Sequence, residues 1–439
     1  MKKQTLIYFY IFTLCTLPSI SAVPSTIVLG TEDGWTDFIT INGIQFTEGK
    51  NGYVDVVLED GQYASGSTTE LLLHFNTPYA DAAPLYINNT APPEITAKIK
   101  RLGYGSAVFQ KNNRFLSLSP KAESMFAPGM SWGDFSIEFW LYPATLDEGD
   151  TILLWKGSRL ASQRILPQEV RCSISDRKLK WSFENVFLPP DHSSRTVVLS
   201  GRRGLIPRTW HHHLLRYDSG TGLLEYLIDG VPEYVTHSTE TGREDGKPFD
   251  LVTGDTLSEN LQIGSSLNGL LDELRISREF ISDPFTDVFT QNTGTAMTKV
   301  YDLEYNNSLL SRISAEIEIP GNTGIHFYYR LGEAFRSMSE VVAEWIPFIP
   351  GENFPGSTRG RYLQILVELF PDGEGNLTPT LSSLQVDFIP DLPPHPPAWV
   401  RIDSQNEALA VNWQASTDSD VSGYLVYYGN KPGQYFGTE

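Results

Sequence analysis

The sequence predicts an all-β, multi-domain protein. Three observations carry that reading. Short apolar runs alternate with polar residues at a period of two. Turn signals such as Asn-Gly, Asp-Gly and Pro-Gly separate those runs. No convincing run of apolar residues recurs at helical spacing. The composition agrees: 40% of the residues are hydrophobic and 12% aromatic, with 36 Gly and 28 Pro, a globular and turn-rich mixture. A chain of 439 residues is long enough for roughly three units at about 150 residues each.

Residues 1–22 read as a secretory leader, with Lys2 and Lys3 ahead of an apolar run from Leu6 to Leu17 and small residues at Ser19-Ile20-Ser21-Ala22 for cleavage. The apolar run is too short to span a bilayer, and no other stretch is long and apolar enough to do so. Of the two cysteines, Cys15 leaves with the leader, and Leu14 stands where a lipid-attachment site requires a small residue. Cys172 then has no partner within the chain, so the export route is used without an internal disulfide. Its place in Val170–Ile174 reads as a buried structural thiol in a strand. The net charge of −20 repels nucleic acid. It favours solubility and could attract divalent cations.

Residues 23–66 hold strand-like runs at Phe38–Ile41 and Tyr53–Leu58, each followed by a hairpin signal, Asn42-Gly43 and Asp60-Gly61. They form either a small N-terminal β element or extra strands of the next domain. Residues 67–282 carry the clearest pattern. Strands are expected at Leu71–Phe75, Gly105–Phe109, Phe115–Leu118, Asp134–Pro143, Thr151–Trp155, Leu179–Phe183, Trp210–Tyr217, Leu223–Ile228 and Gly269–Ser277. Alternation places Phe135, Ile137, Phe139 and Leu141 on one face. A second β-sandwich is expected over 283–390, with strands at Ile313–Ile319, Ile325–Arg330, Tyr362–Leu369 and Pro379–Phe388. The proline-rich stretch 391–398 reads as a semi-rigid linker. Strands at Ala408–Trp413 and Val421–Tyr428 open a last unit, 399–439.

Several of these segments resemble known families. Phe135–Pro143, Trp210-His211-His212 with Tyr217-Asp218, Leu227–Gly230 and Gly269–Ser277 are similar, in order, to the strands of laminin-G-like jelly rolls of the concanavalin-A-like lectin/glucanase superfamily. That resemblance implies a concanavalin-A-like β-sandwich over 67–282. Gly360–Phe388 is similar to a jelly-roll module found beside other β-modules in bacterial surface proteins. Residues 399–439, with Trp413 and Tyr424 as core aromatics, resemble the opening half of a fibronectin type III domain, which leads to the expectation that the chain is a fragment of a longer one.

Candidate chemistry is sparse. His211 and His213 share one face of a strand and His212 takes the other, so two imidazoles could chelate zinc, but no further ligand is nominated. The acidic loop Asp147-Glu148-Gly149-Asp150 supplies hard oxygen donors at a sandwich edge. Relatives in the superfamily bind calcium near a ligand-binding rim, which makes Asp147, Asp150 and Asp272 the calcium candidates. A retaining glycosidase needs two carboxylates about 5 Å apart, supplied in the family's glucanases by alternating acids on one strand. No such strand is present. Glu138 stands alone between aromatics, and Asp272 and Glu273 are adjacent and therefore expected on opposite faces. Trp155, Trp181 and Trp210 are the candidate sugar platforms and equally candidate core residues. The polar stretches Leu188–Arg208 and His237–Glu259 are candidate ligand loops or tolerated insertions. Asn306-Asn307-Ser308 fits a glycosylation acceptor by accident.

The leading expectation is an exported, non-catalytic binding protein of the bacterial envelope. Its laminin-G-like module would recognise a glycan or a protein, calcium is a conceivable cofactor, and no nucleic acid is involved. The alternatives are an architectural envelope protein without a small ligand and an accessory region of a glycoside hydrolase. Periplasm, cell surface and medium are all open.

Overall fold

The computed structural model describes residues 23–435 except 33, 78–83, 112–113, 162–163, 256, 337–343, 407, 419–420 and 432–433. The expected leader over 1–22 lies outside the described residues. Regular structure is almost wholly strand, and no helix among the described residues is long and apolar enough to cross a membrane. Two compact units form, one from Met1–Val57, Gly294–Phe370 and Pro379–Glu439, the other from Leu58–Thr293 with Pro371–Thr378.

In the first unit, Ser25–Leu29 runs antiparallel to Thr380–Ile389, with Ile27 opposite Val386, and Leu309–Glu318 pairs with the same strand. A second sheet orders Phe38–Asn42, Gly294–Thr298, Tyr362–Phe370, Gly324–Gly332 and Ile346–Phe348. Val56, Leu310, Ile313, Val367, Leu384 and Val386 are buried here. The N-terminal strands, open in the sequence between two assignments, thus pair with strands of 294–389. Neither Asn42-Gly43 nor Asp60-Gly61 closes a hairpin. Gly43 (φ 62°) instead separates a strand of one sheet from a strand of the other. The hairpin lies between them, where Gly49 N donates to Tyr53 O (2.7 Å) and joins Ile44–Glu48 to Val54–Leu58.

Residues 391–398 carry no strand. The strand expected at Ala408–Trp413 forms and pairs in a hairpin with Val400–Gln405, a strand the sequence reading did not place, with Val400 opposite Trp413, and the Trp413 and Tyr424 rings meet at 5.4 Å. The strand expected at Val421–Tyr428 does not form: 421–428 is irregular. No strand lies beside it among the described residues, and Leu425, Tyr427 and Tyr428 are exposed. An extended segment without a neighbouring ladder gains nothing from β propensity alone.

The second unit is a sandwich of two long sheets. One orders Val231–His237, Leu223–Ile228, His211–Asp218, Phe135–Pro143, Gly269–Ser277, Ser106–Phe109 and Glu94–Thr96, with Thr69–Leu73 also beside Gly269–Ser277. The other orders Thr196–Ser200, Lys178–Glu184, Arg164–Ser175, Thr151–Ala161, Leu261–Ile263, Leu116–Pro120 and Tyr86–Asn88. Phe135, Ile137, Phe139 and Leu141 face the core as the alternation predicts, and Trp155 and Trp181 meet them from the opposing sheet. Both tryptophans are fully buried, so they are core residues, each of a class whose truncation to Ala costs about 3–5 kcal/mol. The architecture is that of a concanavalin-A-like jelly roll. Asp229 (φ 50°) and Gly230 (φ 73°) form the two-residue turn between Leu223–Ile228 and Val231–His237, as their sequence signal predicts.

Candidate functional site

The first sheet of the sandwich has two faces of different chemistry. On Phe135–Pro143 the residues that turn away from the core are Ser136, Glu138, Trp140 and Tyr142. On the neighbouring strand the same parity gives Trp210, His212, Leu214 and Arg216. Segments around Tyr63 and Arg101 cover the middle of this outer face, so Glu138, Trp140 and His212 are buried there. Glu138 Oε1 accepts from Arg275 Nε (2.7 Å) and its Oε2 lies 3.1 Å from His212 Nε2. The Arg275 guanidinium lies over the Tyr63 ring at 4.7 Å, and Arg101 lies over the Trp140 ring at 4.4 Å, both cation–π distances.

Asp272 and Glu273 do not take opposite faces. The register against Phe135–Pro143 slips between Glu138 and Trp140, and Glu273 takes φ 47°. This bulge lets both carboxylates reach the covering segments. Asp272 Oδ2 accepts from the amides of Arg101 (2.8 Å) and Leu102 (3.0 Å). Glu273 Oε2 accepts from Tyr63 N (3.1 Å) and its carboxylate lies 2.8 Å from His74 Nδ1. Burial pushes the Asp272 carboxyl up to about 8 against the pull of those two amides.

Toward one end the cover stops. Tyr142 and Trp210 lie there half-buried, their rings tilted against each other at 5.2 Å. Arg208, at φ 60°, donates its amide to Pro143 O (2.8 Å) and anchors the preceding loop next to this pair. His211 Nδ1 lies 2.8 Å from Asp229 Oδ2, and Asp229 Oδ1 accepts from His212 N (2.9 Å). Burial raises the Asp229 carboxyl, but the bonds from His211 and the His212 amide outweigh it and leave the group below its ordinary value. Glu233 Oε1 accepts from Arg203 Nε (2.5 Å) and its Oε2 from the amides of Arg202 and Arg203. The result is a half-buried aromatic pair on the outer face at a strand end, a surface suited to stacking on an apolar ring face.

The calcium candidates divide. Lys111 Nζ lies 3.3 Å from Asp147 and 2.8 Å from Asp150, so an ammonium group sits between the two carboxylates. Glu148 of the same loop accepts from Ser175 Oγ and Asp176 N, both at 2.8 Å. Asp272 is held separately by the amides named above. Among the described residues no three His, Cys, Asp or Glu side chains are gathered so as to hold a metal ion. Lys111 thus supplies a balancing charge to the Asp147 and Asp150 carboxylates. His213 and His212 take opposite faces as the strand period predicts, His213 inward, 2.7 Å from Tyr226 Oη, and His212 outward to Glu138, while His211 reaches Asp229. Cys172 is fully buried and without a disulfide partner.

Sequence reasoning missed Tyr63, Arg101 and Lys111. Each meets its partners across long stretches of chain, for which no local signal exists. The pairing of Trp210 with Tyr142 was accessible from parity, since 142 shares a face with 140 and 210 with 212.

Comparison with known proteins adds a family match. Residues 122–284 match a laminin-G-type family model described as Concanavalin A-like lectin/glucanases superfamily. A search of curated proteins returned no match. Among solved structures, the chain is similar to the carbohydrate-binding module (CBM40) of a Ruminococcus gnavus sialidase bound to alpha2,3 sialyllactose, at 12% identity over 40% of this chain and 91% of that one, with a TM-score of 0.29. It is similar to domain 4 of a Geobacillus stearothermophilus extracellular arabinanase in complex with arabinotriose, at 16% identity, 58% and 84% coverage and a TM-score of 0.24. It is also similar to the binding domain of botulinum neurotoxin serotype G, at 12% identity, 67% and 65% coverage and a TM-score of 0.33. The stretch 122–284 is accordingly a laminin-G-like domain of the concanavalin A-like superfamily.

Proposed function

We propose that the sandwich of Leu58–Thr293 is a non-catalytic glycan-binding module, carried on an exported protein whose other β-units display it. The observation that carries the reading is the half-buried Tyr142–Trp210 pair on the outer face of the sheet. A sugar ring offers an apolar C–H face to such a pair. The lectin/glucanase character of the matched family is in keeping with this. A binding rather than hydrolytic role is supported by the state of the outer-face acids. Both Glu138 oxygens are engaged, by Arg275 and by His212, and Asp272 and Glu273 are bonded to the backbone of covering segments. A glycosidase needs its two carboxylates flanking an open scissile bond. Export is supported by the leader-like Lys2–Ala22 segment.

The test is a glycan array with the purified protein and its Trp210→Ala and Tyr142→Ala variants. Specific glycan capture that drops at least tenfold in either variant, with thermal melting unchanged within a few degrees, supports the reading. Capture indifferent to both substitutions, or none by the folded protein, overturns it.

A further inference from the structure

We infer that the buried Arg159 guanidinium holds a small monovalent anion, of chloride or formate size. The site lies in the sheet opposite that of Tyr142 and Trp210 and owes nothing to the glycan reading. Arg159 stands near the end of Thr151–Ala161. It shares the inward parity of Leu153, Trp155 and Gly157, so its side chain enters the end of the core and is 6% exposed. Segments 185–188 and 250–254 close that end. Gln168 Nε2 donates to Asn185 O (2.9 Å) and Val252 O (2.8 Å), and its Oε1 accepts from Gly254 N (2.6 Å). Gly254 lies directly on the neighbouring backbone: a Cβ there would come within 1.9 Å of Ser158 O and 2.7 Å of Arg159 Cα. Arg159 Nε donates to Asn185 O (3.3 Å), while its Nη2 is buried and has no partner among the described residues.

This guanidinium needs a counter-charge. A buried lysine or histidine sheds its proton, but arginine stays charged in a protein, and a buried charge is costly unless it is paired. Burial lowers the Arg159 guanidinium, and no carboxylate among the described residues acts on it. The acids of the neighbouring strands turn elsewhere. Glu169 takes the face opposite to Gln168 and closes a fork on Arg171, at 2.6 and 3.0 Å. Glu184, paired in register with Glu169, is exposed, as are Asp250 and Asp255. Arg195 brings a second positive charge to this end rather than a negative one. Its amide donates to Asn185 Oδ1 (3.0 Å), and its guanidinium lies 4.9 Å over the Phe249 ring. A water molecule at Nη2 would complete the hydrogen bonding and leave the charge unbalanced, whereas an anion does both in one charge-assisted bond. The close packing of Gly254 on Ser158 and Arg159 favours an occupant of one or a few atoms.

The experiment compares thermal melting of the full chain in sodium chloride, sodium formate and sodium gluconate, at matched concentrations from about 5 to 300 mM. Gluconate is the reference, an anion too bulky to enter. The wild-type protein should melt several degrees higher in chloride, formate or both than in gluconate, and the gain should saturate. Arg159→Gln, which needs no counter-ion, should lose that difference, and Arg195→Gln should keep it. Which anion stabilises separates a halide ligand from a carboxylate. Equal shifts in the wild type and in Arg159→Gln would be a general effect of the salt on the surface and overturn the site. A shift lost in Arg195→Gln alone overturns its assignment to Arg159, and melting points that agree in all three salts overturn it outright. Should Arg159→Gln fail to fold, wild-type crystals grown in bromide and in formate decide the matter. An anion within hydrogen-bond reach of Arg159 Nη2 in either supports the site, and a water there in both overturns it.

Discussion

Glu138 and Arg275 face each other across two neighbouring strands and close a buried ion pair, Nε to Oε1 at 2.7 Å. Glu138 is wholly inaccessible and the Arg275 side chain is 15% exposed. His212 takes the other oxygen of Glu138 and Tyr63 lies under the guanidinium, so the group acts as one desolvated network.

Removing one member of such a pair leaves the other charge stranded, which typically costs about 3–5 kcal/mol, whereas replacing both with apolar groups is often close to neutral. Arg275→Met is therefore expected to lower the denaturant unfolding free energy by about that amount. The double variant Glu138→Leu/Arg275→Met should recover a large part of it. A single variant that loses less than about 1 kcal/mol would show that the pair is hydrated and contributes as a surface bridge does.

Lys111 makes a second claim testable. Its ammonium lies between Asp147 and Asp150, where a calcium ion would need both carboxylates. The melting temperature in excess calcium and in chelator should then agree within a degree or two. Lys111→Met leaves the buried Asp150 carboxylate uncompensated and should lower the melting temperature clearly. Stabilisation of the wild-type protein by several degrees in calcium would mean that the ion displaces Lys111, and would restore the calcium reading of this loop.

Cys172 is expected to be chemically silent. Burial pushes its thiol well above the ordinary value, and the thiolate is the reactive form. A thiol-specific chromogenic reagent should leave the folded protein unlabelled over hours and react with one equivalent in denaturant, counted on residues 23–439, where Cys172 is the one cysteine. Prompt labelling under native conditions would mean that this core opens locally.

How much of this was legible follows from where the determinants lie. The period-two pattern of Phe135–Pro143 placed Phe135, Ile137, Phe139 and Leu141 in the core, and the Asp229-Gly230 turn sits where its dipeptide predicts. Both are local facts of backbone geometry. The Asn42-Gly43 turn misled because the same dipeptide serves a change of sheet as readily as a hairpin. Pairing of Ser25–Leu29 with Thr380–Ile389 spans most of the chain, and a single sequence carries no signal for it. Asp272 and Glu273 were misassigned because strict alternation fails at a bulge, which depends on the register with a strand far away in sequence. Which acids Lys111, His211 and Arg203 engage depends on contacts between separate strands and loops, and only the fold shows that.

Two buried groups give the stability a defined pH dependence, with opposite signs. Burial raises the Asp272 carboxyl to about 8, against about 3.9 in an unfolded chain. The native state then holds a proton that the unfolded state releases, so this contribution is complete below about pH 4 and is lost as pH rises through about 8. His213 is pushed the other way, to about 3, by burial first and then by the neighbouring His212 and His211. The unfolded imidazole takes its proton near 6.5, so stability from this group is complete above that pH and falls as pH drops toward 3. Between about pH 4 and 6.5 the two slopes oppose. From about 6.5 to 8 only Asp272 acts, and the loss should be on the order of 1–2 kcal/mol. Denaturant titrations across pH 4–9 should show that decline in the wild-type protein and its absence in Asp272→Asn. His213→Phe should remove the acid limb and leave the alkaline one. A wild-type profile flat from pH 6.5 to 8 would mean that Asp272 is already ionised in the folded protein, its charge held by the Arg101 and Leu102 amides.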